Sequence, residues 1–256
     1  FLPSGAPMTG TGSSLDFGLQ TSAATYTVIA TNTGTGCTST MTGSAVISIN
    51  PAPTAFAVSG GGDYCSGGAG VHVSLSGSST GINYQLYVGG VSTGPIVAGT
   101  GSSLDFGAQT TAGSYTVVAT DATTFCTSNM TGSATITIDP LPTAFSVTGG
   151  GSYCTGGSGQ LIGLSGSEAG VTYQLYLSFA PFGAPMPGTG AALSWGMQTT
   201  AGFYTIVSTN TTTGCTNNMT GGVAITILPL PTAYTMTGRG GYCTGTAGVS
   251  VGLSTS

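Results

Sequence analysis

Short runs in which apolar and polar residues alternate recur along the whole chain. Val71-His72-Val73-Ser74-Leu75 alternates at period two, as do Tyr84–Val88, Tyr115–Ala119 and Ala134–Ile138. This is the signature of strands with one face buried. Glycine clusters at 60–62, 67–68, 89–90 and 99–101 separate the runs. No segment carries a helical period with caps. The pattern predicts an all-β chain of about seven short strands per ~90 residues, the density of a β-sandwich.

The pattern repeats. The cysteines stand at 37, 65, 126, 154, 215 and 243, with gaps that alternate between 28 and 61, so the period is 89 residues. Thr54-Ala55-Phe56 returns as Thr143-Ala144-Phe145 and Thr232-Ala233-Tyr234, and Tyr84-Gln85-Leu86-Tyr87 as Tyr173-Gln174-Leu175-Tyr176. Pro51-Ala52-Pro53, Pro140-Leu141-Pro142 and Pro229-Leu230-Pro231 close each unit. Residues 54–142 and 143–231 align without an insertion and agree at about half their positions. The expected organisation is two whole repeats, 54–142 and 143–231, flanked by partial repeats at 1–53 and 232–256. A solenoid is excluded, because its rungs recur every ~20–30 residues. Partial units cannot complete a core by themselves.

Composition narrows the function. Only 3% of residues are charged, with a single Arg239 and no lysine, against about 25% in ordinary domains. One cation cannot make a nucleic-acid footprint or a polybasic membrane patch. Glycine, threonine and serine supply 122 of 256 residues, so hydroxyls and backbone do the solvating that charges usually do. With 39% hydrophobic residues the chain still has enough apolar material for cores. No apolar run is long enough to span a bilayer as a helix, and no basic region precedes a signal-like apolar stretch. The sequence reads as a piece of a longer chain.

Six periodic cysteines without histidine partners or Cys-x-x-Cys spacing point to disulfides and an oxidising, exported setting rather than zinc. Three connectivities are open. A spacing of 61 gives Cys65–Cys126 and Cys154–Cys215 within repeats, leaving Cys37 and Cys243 unpaired. A spacing of 28 gives Cys37–Cys65, Cys126–Cys154 and Cys215–Cys243 across the Pro-x-Pro junctions. In a sandwich the A–B turn and the F–G loop lie at opposite ends, about a strand length (~20 Å) apart, while a disulfide needs Cα atoms within ~7 Å. That objection to the spacing of 61 yields the third pairing, Cys65–Cys215, at 150.

Leu104-Asp105-Phe106 followed by Gly113-Ser114-Tyr115-Thr116-Val117 looks like the E–F corner of an immunoglobulin-like domain, where a tyrosine bonds back to upstream backbone. Tyr26 and Tyr204 are its counterparts. Val117, Val28 and Ile206 stand where antibody domains carry the F-strand cysteine, and Leu86 and Leu175 at the strand-C tryptophan position. The expected fold is therefore a tandem array of Ig-like β-sandwiches with purely aliphatic centres.

The order Tyr-Cys-x-Gly, Tyr-x-Leu-Tyr, Gly-x-Tyr-Thr-Val, a cysteine after strand F, Ile-Thr-Ile and Pro-x-Pro resembles the Ig-like repeats of giant secreted surface adhesins of Bacteroidota, including gliding-motility adhesins exported by the type IX pathway. The resemblance covers every repeat. It implies an extracellular, glycosylated, non-enzymatic fibre, and it favours the intra-repeat pairing of Cys65 with Cys126 and Cys154 with Cys215.

Other candidate sites have ordinary readings. His72 aligns with Leu161, and reads as a surface strand residue. Trp195 replaces Phe17 and Phe106, and reads as a packed aromatic. Asp105 becomes Ser194, Asp63 becomes Ser152 and Asp121 becomes Asn210, so no calcium site recurs. The glycine runs lack the lysine and helix start of a phosphate loop. Asn129, Asn210 and Asn218 match the N-glycan acceptor pattern. No catalytic, cofactor or metal residue is expected. The expected role is a structural extracellular filament or adhesin shaft whose partner is itself. The rival is an adhesin whose repeats grip surface glycans through Tyr87, Trp195 or Phe179; against it, Phe179 aligns with Gly90. Residues 232–256 supply the opening strands of a repeat and 1–53 its closing strands, 11 residues short of three periods. A continuous chain is favoured over strand donation between chains, because donation leaves that gap unfilled.

Overall fold

The structure is a computed structural model and describes residues 4–254. Residues 1–3 and 255–256, the extremities of the two partial repeats, lie outside the described residues. The described chain is all-β. Strands β1 (Ala24–Tyr26), β2 (Ile29–Thr31), β3 (Thr38–Thr40) and β4 (Ala45–Ile47) come first. A sandwich follows, built from β5 (Val58–Gly60), β6 (Gly62–Cys65), β7 (Val71–Leu75), β8 (Ile82–Val88), β9 (Val91–Ala98), β10 (Leu104–Gln109), β11 (Gly113–Asp121), β12 (Thr127–Asn129) and β13 (Ala134–Asp139). The second sandwich comprises β14 (Val147–Gly149), β15 (Gly151–Cys154), β16 (Gln160–Leu164), β17 (Val171–Leu177), β18 (Ala180–Pro181), β19 (Met186–Pro187), β20 (Leu193–Gln198), β21 (Gly202–Asn210), β22 (Thr216–Asn218) and β23 (Val223–Leu228). Strands β24 (Met236–Thr237) and β25 (Gly252–Leu253) close the chain.

Each sandwich has one three-stranded sheet, β10-β7-β5 or β14-β16-β20. The opposing sheet runs β6-β13-β11-β8-β9 in one and β15-β23-β21-β17-β18 in the other. This is the immunoglobulin arrangement, A-B-E against A′-G-F-C-C′. The opening strand serves both sheets: β14 pairs antiparallel with β16, then β15 pairs parallel with β23. The crossing is made on consecutive glycines. Gly149 has φ of +93°, and a Cβ there would lie 1.9 Å from the Leu161 carbonyl oxygen. Gly60 repeats this at φ of +94° against the His72 carbonyl. Only glycine tolerates that backbone and that approach.

Aliphatic residues meet at the middle of the β8–β11 and β17–β21 pairs, but the centre is not purely aliphatic as expected. Val117 pairs directly with Leu86, and Ile206 with Leu175; all four are buried. Four tyrosines, Tyr84, Tyr115, Tyr173 and Tyr204, are also fully buried. Buried hydroxyls need partners. Tyr204 donates to the Thr200 carbonyl at 2.8 Å, four residues upstream, and Tyr26 does so to Ser22 at 3.0 Å. That is the tyrosine corner. Tyr84 and Tyr173 instead accept from the backbone N–H groups of Ser79 and Glu168, each at 2.9 Å.

The repeated polar residues are explained by backbone needs. A bulge interrupts the β8–β9 ladder between Tyr84 and Leu86, and the Gln85 amide donates across it to the Thr93 carbonyl at 2.8 Å. Gln174 does the same toward Phe182. The Met130 and Met219 sulfurs accept from the backbone N–H groups of Phe56 and Phe145.

In the partial repeats, residues whose equivalents are buried stand open. Leu15 and Val28 are exposed, while Leu104 and Val117 are not. Met236, Val251 and Leu253 are exposed, while Val58, Val73 and Leu75 are not.

Two substitutions test this architecture. Leu86→Ala should lower unfolding free energy by about 2–4 kcal/mol through loss of buried contacts and the cavity left behind, measured by denaturant titration. Gly149→Ala should cost about 1–3 kcal/mol because a Cβ is forced into the left-handed region against backbone; an unchanged denaturation midpoint would contradict the crossing.

Candidate junction site

The cysteine turns are held by frames that recur in both sandwiches. Tyr64 donates its hydroxyl to the Thr110 carbonyl at 2.6 Å, and Tyr153 to Thr199 at 2.6 Å. Ser66 N–H donates to the Asp139 carbonyl at 2.8 Å, and Thr155 N–H to Leu228 at 2.9 Å. Each turn closes on the cysteine carbonyl, through Gly68 and Gly157, both at 2.9 Å. Tyrosine, end of the last strand and glycine together fix where the sulfur points.

The F–G cysteines are framed as closely. Asp121 N–H donates to the Cys126 carbonyl and Asn210 N–H to Cys215, both at 2.9 Å. Side-chain oxygens of Asp121 and Asn210 accept backbone N–H groups of the next turn, as Asn32 does at the same place in the first partial repeat. These bonds, with Thr124 first and Thr123 second, hold the Asp121 carboxyl below the usual carboxylate range.

Cys65 is bonded to Cys215, at a Cα separation of 5.5 Å and 150 residues apart. The pairing of Cys65 with Cys126 and of Cys154 with Cys215 is not the one the structure holds; Cys126 and Cys154 carry free thiols, as do Cys37 and Cys243. The reason is directional. β13 ends at Asp139, beside the Cys65 turn, and its first residues pair with the start of β11, Ala134 with Tyr115. Cys126 follows the far end of β11, nine residues on, or roughly 30 Å along the strand. The chain forms two compact units, one of Phe1–Gly61, Val71–Gln109 and Gly113–Ile136, the other of Gly62–Gly70, Thr110–Ala112 and Thr137–Ser256. Cys65 and Cys215 both belong to the second.

The other candidates scatter. His72 is exposed on β7, with Nδ1 2.7 Å from Asp105 Oδ2. The Gly107 N–H first, and His72 second, hold the Asp105 carboxyl below its usual range. Asp105 faces a shallow depression lined also by Leu86, Pro95 and Phe106. An exposed pair of this kind adds little to stability. Among the described residues no three His, Cys, Asp or Glu side chains cluster closely enough to hold a metal, and no helix is long and apolar enough to cross a membrane. Asn129 and Asn218 are exposed on β12 and β22; Asn210 is half-buried, its oxygen engaged in the turn.

The aromatic candidates do not form one platform. Tyr87 is half-buried on β8. Trp195 packs against the core of its sandwich. Phe179 is 91% exposed, at φ of +71°, where the preceding repeat has Gly90. It borders a shallow depression with Tyr176, Ile206 and Asn218. Phe125 likewise stands at φ of +60°, exposed beside Cys126, where Gly36 and Gly214 occupy the other repeats. Sequence alignment marks both as departures from glycine but says nothing of their exposure.

No family model matches the sequence, and no curated protein matches it. Among solved structures, the fibronectin(III)-like modules of Clostridium thermocellum CbhA are similar at 9% identity and a TM-score of 0.35, over 67% of this chain and 94% of that one. The FN1–FN3 domains of chicken CNTN1 are similar at 14% identity and a TM-score of 0.32, over 78% and 76%. Murine CEACAM1b is similar at 14% and 0.31, over 65% and 96%.

The Trp195 indole Nε1 is buried without a hydrogen-bond partner. An unsatisfied buried donor is a net cost, and the other repeats carry phenylalanine there. Trp195→Phe should therefore leave the thermal midpoint unchanged or raise it; a large fall would assign the indole a packing role that phenylalanine cannot fill.

Proposed function

We propose that this chain is a structural, non-enzymatic segment of an extracellular fibre, the shaft of a surface adhesin of the type its Tyr-Cys-x-Gly and Pro-x-Pro repeats resemble. The observation that carries the reading is the disulfide. Cys65 lies in the sequence repeat 54–142 and Cys215 in the sequence repeat 143–231, so the bond couples one sequence repeat to the next, within the second compact unit. An isolated binding or catalytic module gains little from that. A shaft gains continuity, because tension passes between repeats through a covalent bond as well as through the linker.

The remaining features fit the same role. A disulfide belongs to an oxidising compartment. The low-charge, hydroxyl-rich surface suits a spacer that repels neither itself nor its surroundings and offers trypsin-like proteases a single cleavage residue, Arg239. Exposed Asn129 and Asn218 would take N-linked glycans in this setting. The self-partner is the repeat itself, with the units 54–142 and 143–231 bounded by Pro-x-Pro junctions. Surface glycans would be a target for other parts of such an adhesin: Phe179 is exposed beside a shallow depression, but its counterpart in the previous repeat is Gly90.

Negative-stain or cryo-electron imaging of the native material tests the reading. The expected outcome is filaments with an axial periodicity on the order of 35–45 Å, one strand-length domain plus a linker. Compact, unattached particles of single-chain size would overturn it.

A further inference from the structure

The bonded pair and the two neighbouring free thiols occupy equivalent frames. Cys154 lies one period after Cys65, in a turn with the same tyrosine clamp and the same glycine closure. Cys126 lies one period before Cys215, with the same Asx turn ahead of it. What differs is cover. Cys215 is fully buried, whereas Cys126 is half-exposed and Cys154 exposed. A second observation marks what should cover Cys126. Its sulfur lies 3.9 Å from the Asn50 carbonyl oxygen. Asn50 is one period before Asp139, whose carbonyl holds the turn of Cys65 against Cys215. Cys126 thus already sits at the strand end that carries the Tyr-Cys turn in the next junction.

We infer that Cys126 and Cys154 are the two open halves of a staple that recurs at every junction. Cys126 receives the cysteine of a Tyr-Cys-x-Gly turn from the repeat before it, and Cys154 gives its sulfur to the F–G cysteine of the repeat after it. The inference rests on reading the chain as an array of repeats. Each staple forms from two thiols, which lose two protons and two electrons; a disulfide oxidant of the exported compartment takes the electrons and is reduced to two thiols.

The rule specifies partners. In a continuous polypeptide they stand 150 residues upstream of Cys126 and 150 downstream of Cys154, the separation of the observed bond. If the neighbouring repeat comes from a second copy instead, a three-period register places Cys243 of that copy at Cys126 and Cys37 at Cys154, and all six cysteines are used.

Peptide mapping of non-reduced native fibre, with free thiols blocked first, tests this. Cys65–Cys215 serves as the internal reference. The expected result is Cys126 linked to a peptide containing Tyr-Cys-x-Gly, Cys154 linked to one containing a Cys-Thr F–G sequence, and neither alkylated. Reduction then separates the sources. Unchanged polypeptide length means repeats of one chain, whereas release of 24.8 kDa chains with Cys126–Cys243 and Cys37–Cys154 peptides means successive copies. Cys126→Ser should expose one new alkylatable thiol, in a Tyr-Cys-x-Gly peptide and nowhere else. Free Cys126 and Cys154 in intact fibre, or links of Cys126 to Cys154 or to Cys65, would overturn the staple. A fibre with its axial repeat intact and those thiols free would still leave the shaft reading standing.

Discussion

The crossing of the opening strand from one sheet to the other governs much of the rest. It requires three successive glycines at 60–62 and 149–151, two of them pressed against backbone carbonyls where no side chain fits. Because of the crossing, β15 lies parallel to β23 and ends level with it. The chain then has to turn at the sheet's end, which delivers the Tyr-Cys turn to the tip of the sandwich. A straight opening strand would leave that cysteine in the A-B-E sheet, away from the strand end at Asp139 or Leu228. The position of each Tyr-Cys turn is thus a consequence of backbone freedom at three residues.

The same economy runs through the polar residues. With so few charges, satisfaction of buried backbone falls to amides, hydroxyls and sulfur. Gln85 bridges the β8–β9 bulge and Gln174 reaches the gap between β18 and β19. Met130 and Met219 each accept an N–H just before the opening strand, and Ser78 and Ser167 each donate to a loop carbonyl, at 2.6 and 2.5 Å. Asn32, Asp121 and Asn210 make one turn with either an amide or a carboxylate. The bond needs only an oxygen acceptor, which is why the charge is free to come and go between repeats.

Most of the fold was legible in the sequence because it is written in local periodicity. Alternation at Tyr84–Val88 and Tyr115–Ala119 names the facing residues of strands C and F, and the tyrosine corner follows from its place before the F strand. Spacing could not decide the disulfide. The numbers 28, 61 and 150 are all consistent with the sequence, and the choice depends on which ends of which strands meet. The topological objection to an intra-repeat bond contained the answer, since the F–G loop and the A–B turn of one sandwich lie a full strand apart. The exposure of Phe125 and Phe179 was also hidden, because replacing a turn glycine by phenylalanine breaks the local rule without announcing where the ring goes.

The bond between Cys65 and Cys215 has a further meaning for a chain under load. It encloses 150 residues, a contour that could stretch to roughly 500 Å if it were free. Tension applied outside the loop passes from sulfur to sulfur, so those residues contribute nothing to extension even if their strands come apart. Thermal or mechanical loss of a sandwich inside the loop would leave the distance between its ends almost unchanged. With respect to length, the segment between the two cysteines would behave as an inextensible tether, and its strands could refold inside a closed ring without the molecule ever having grown longer.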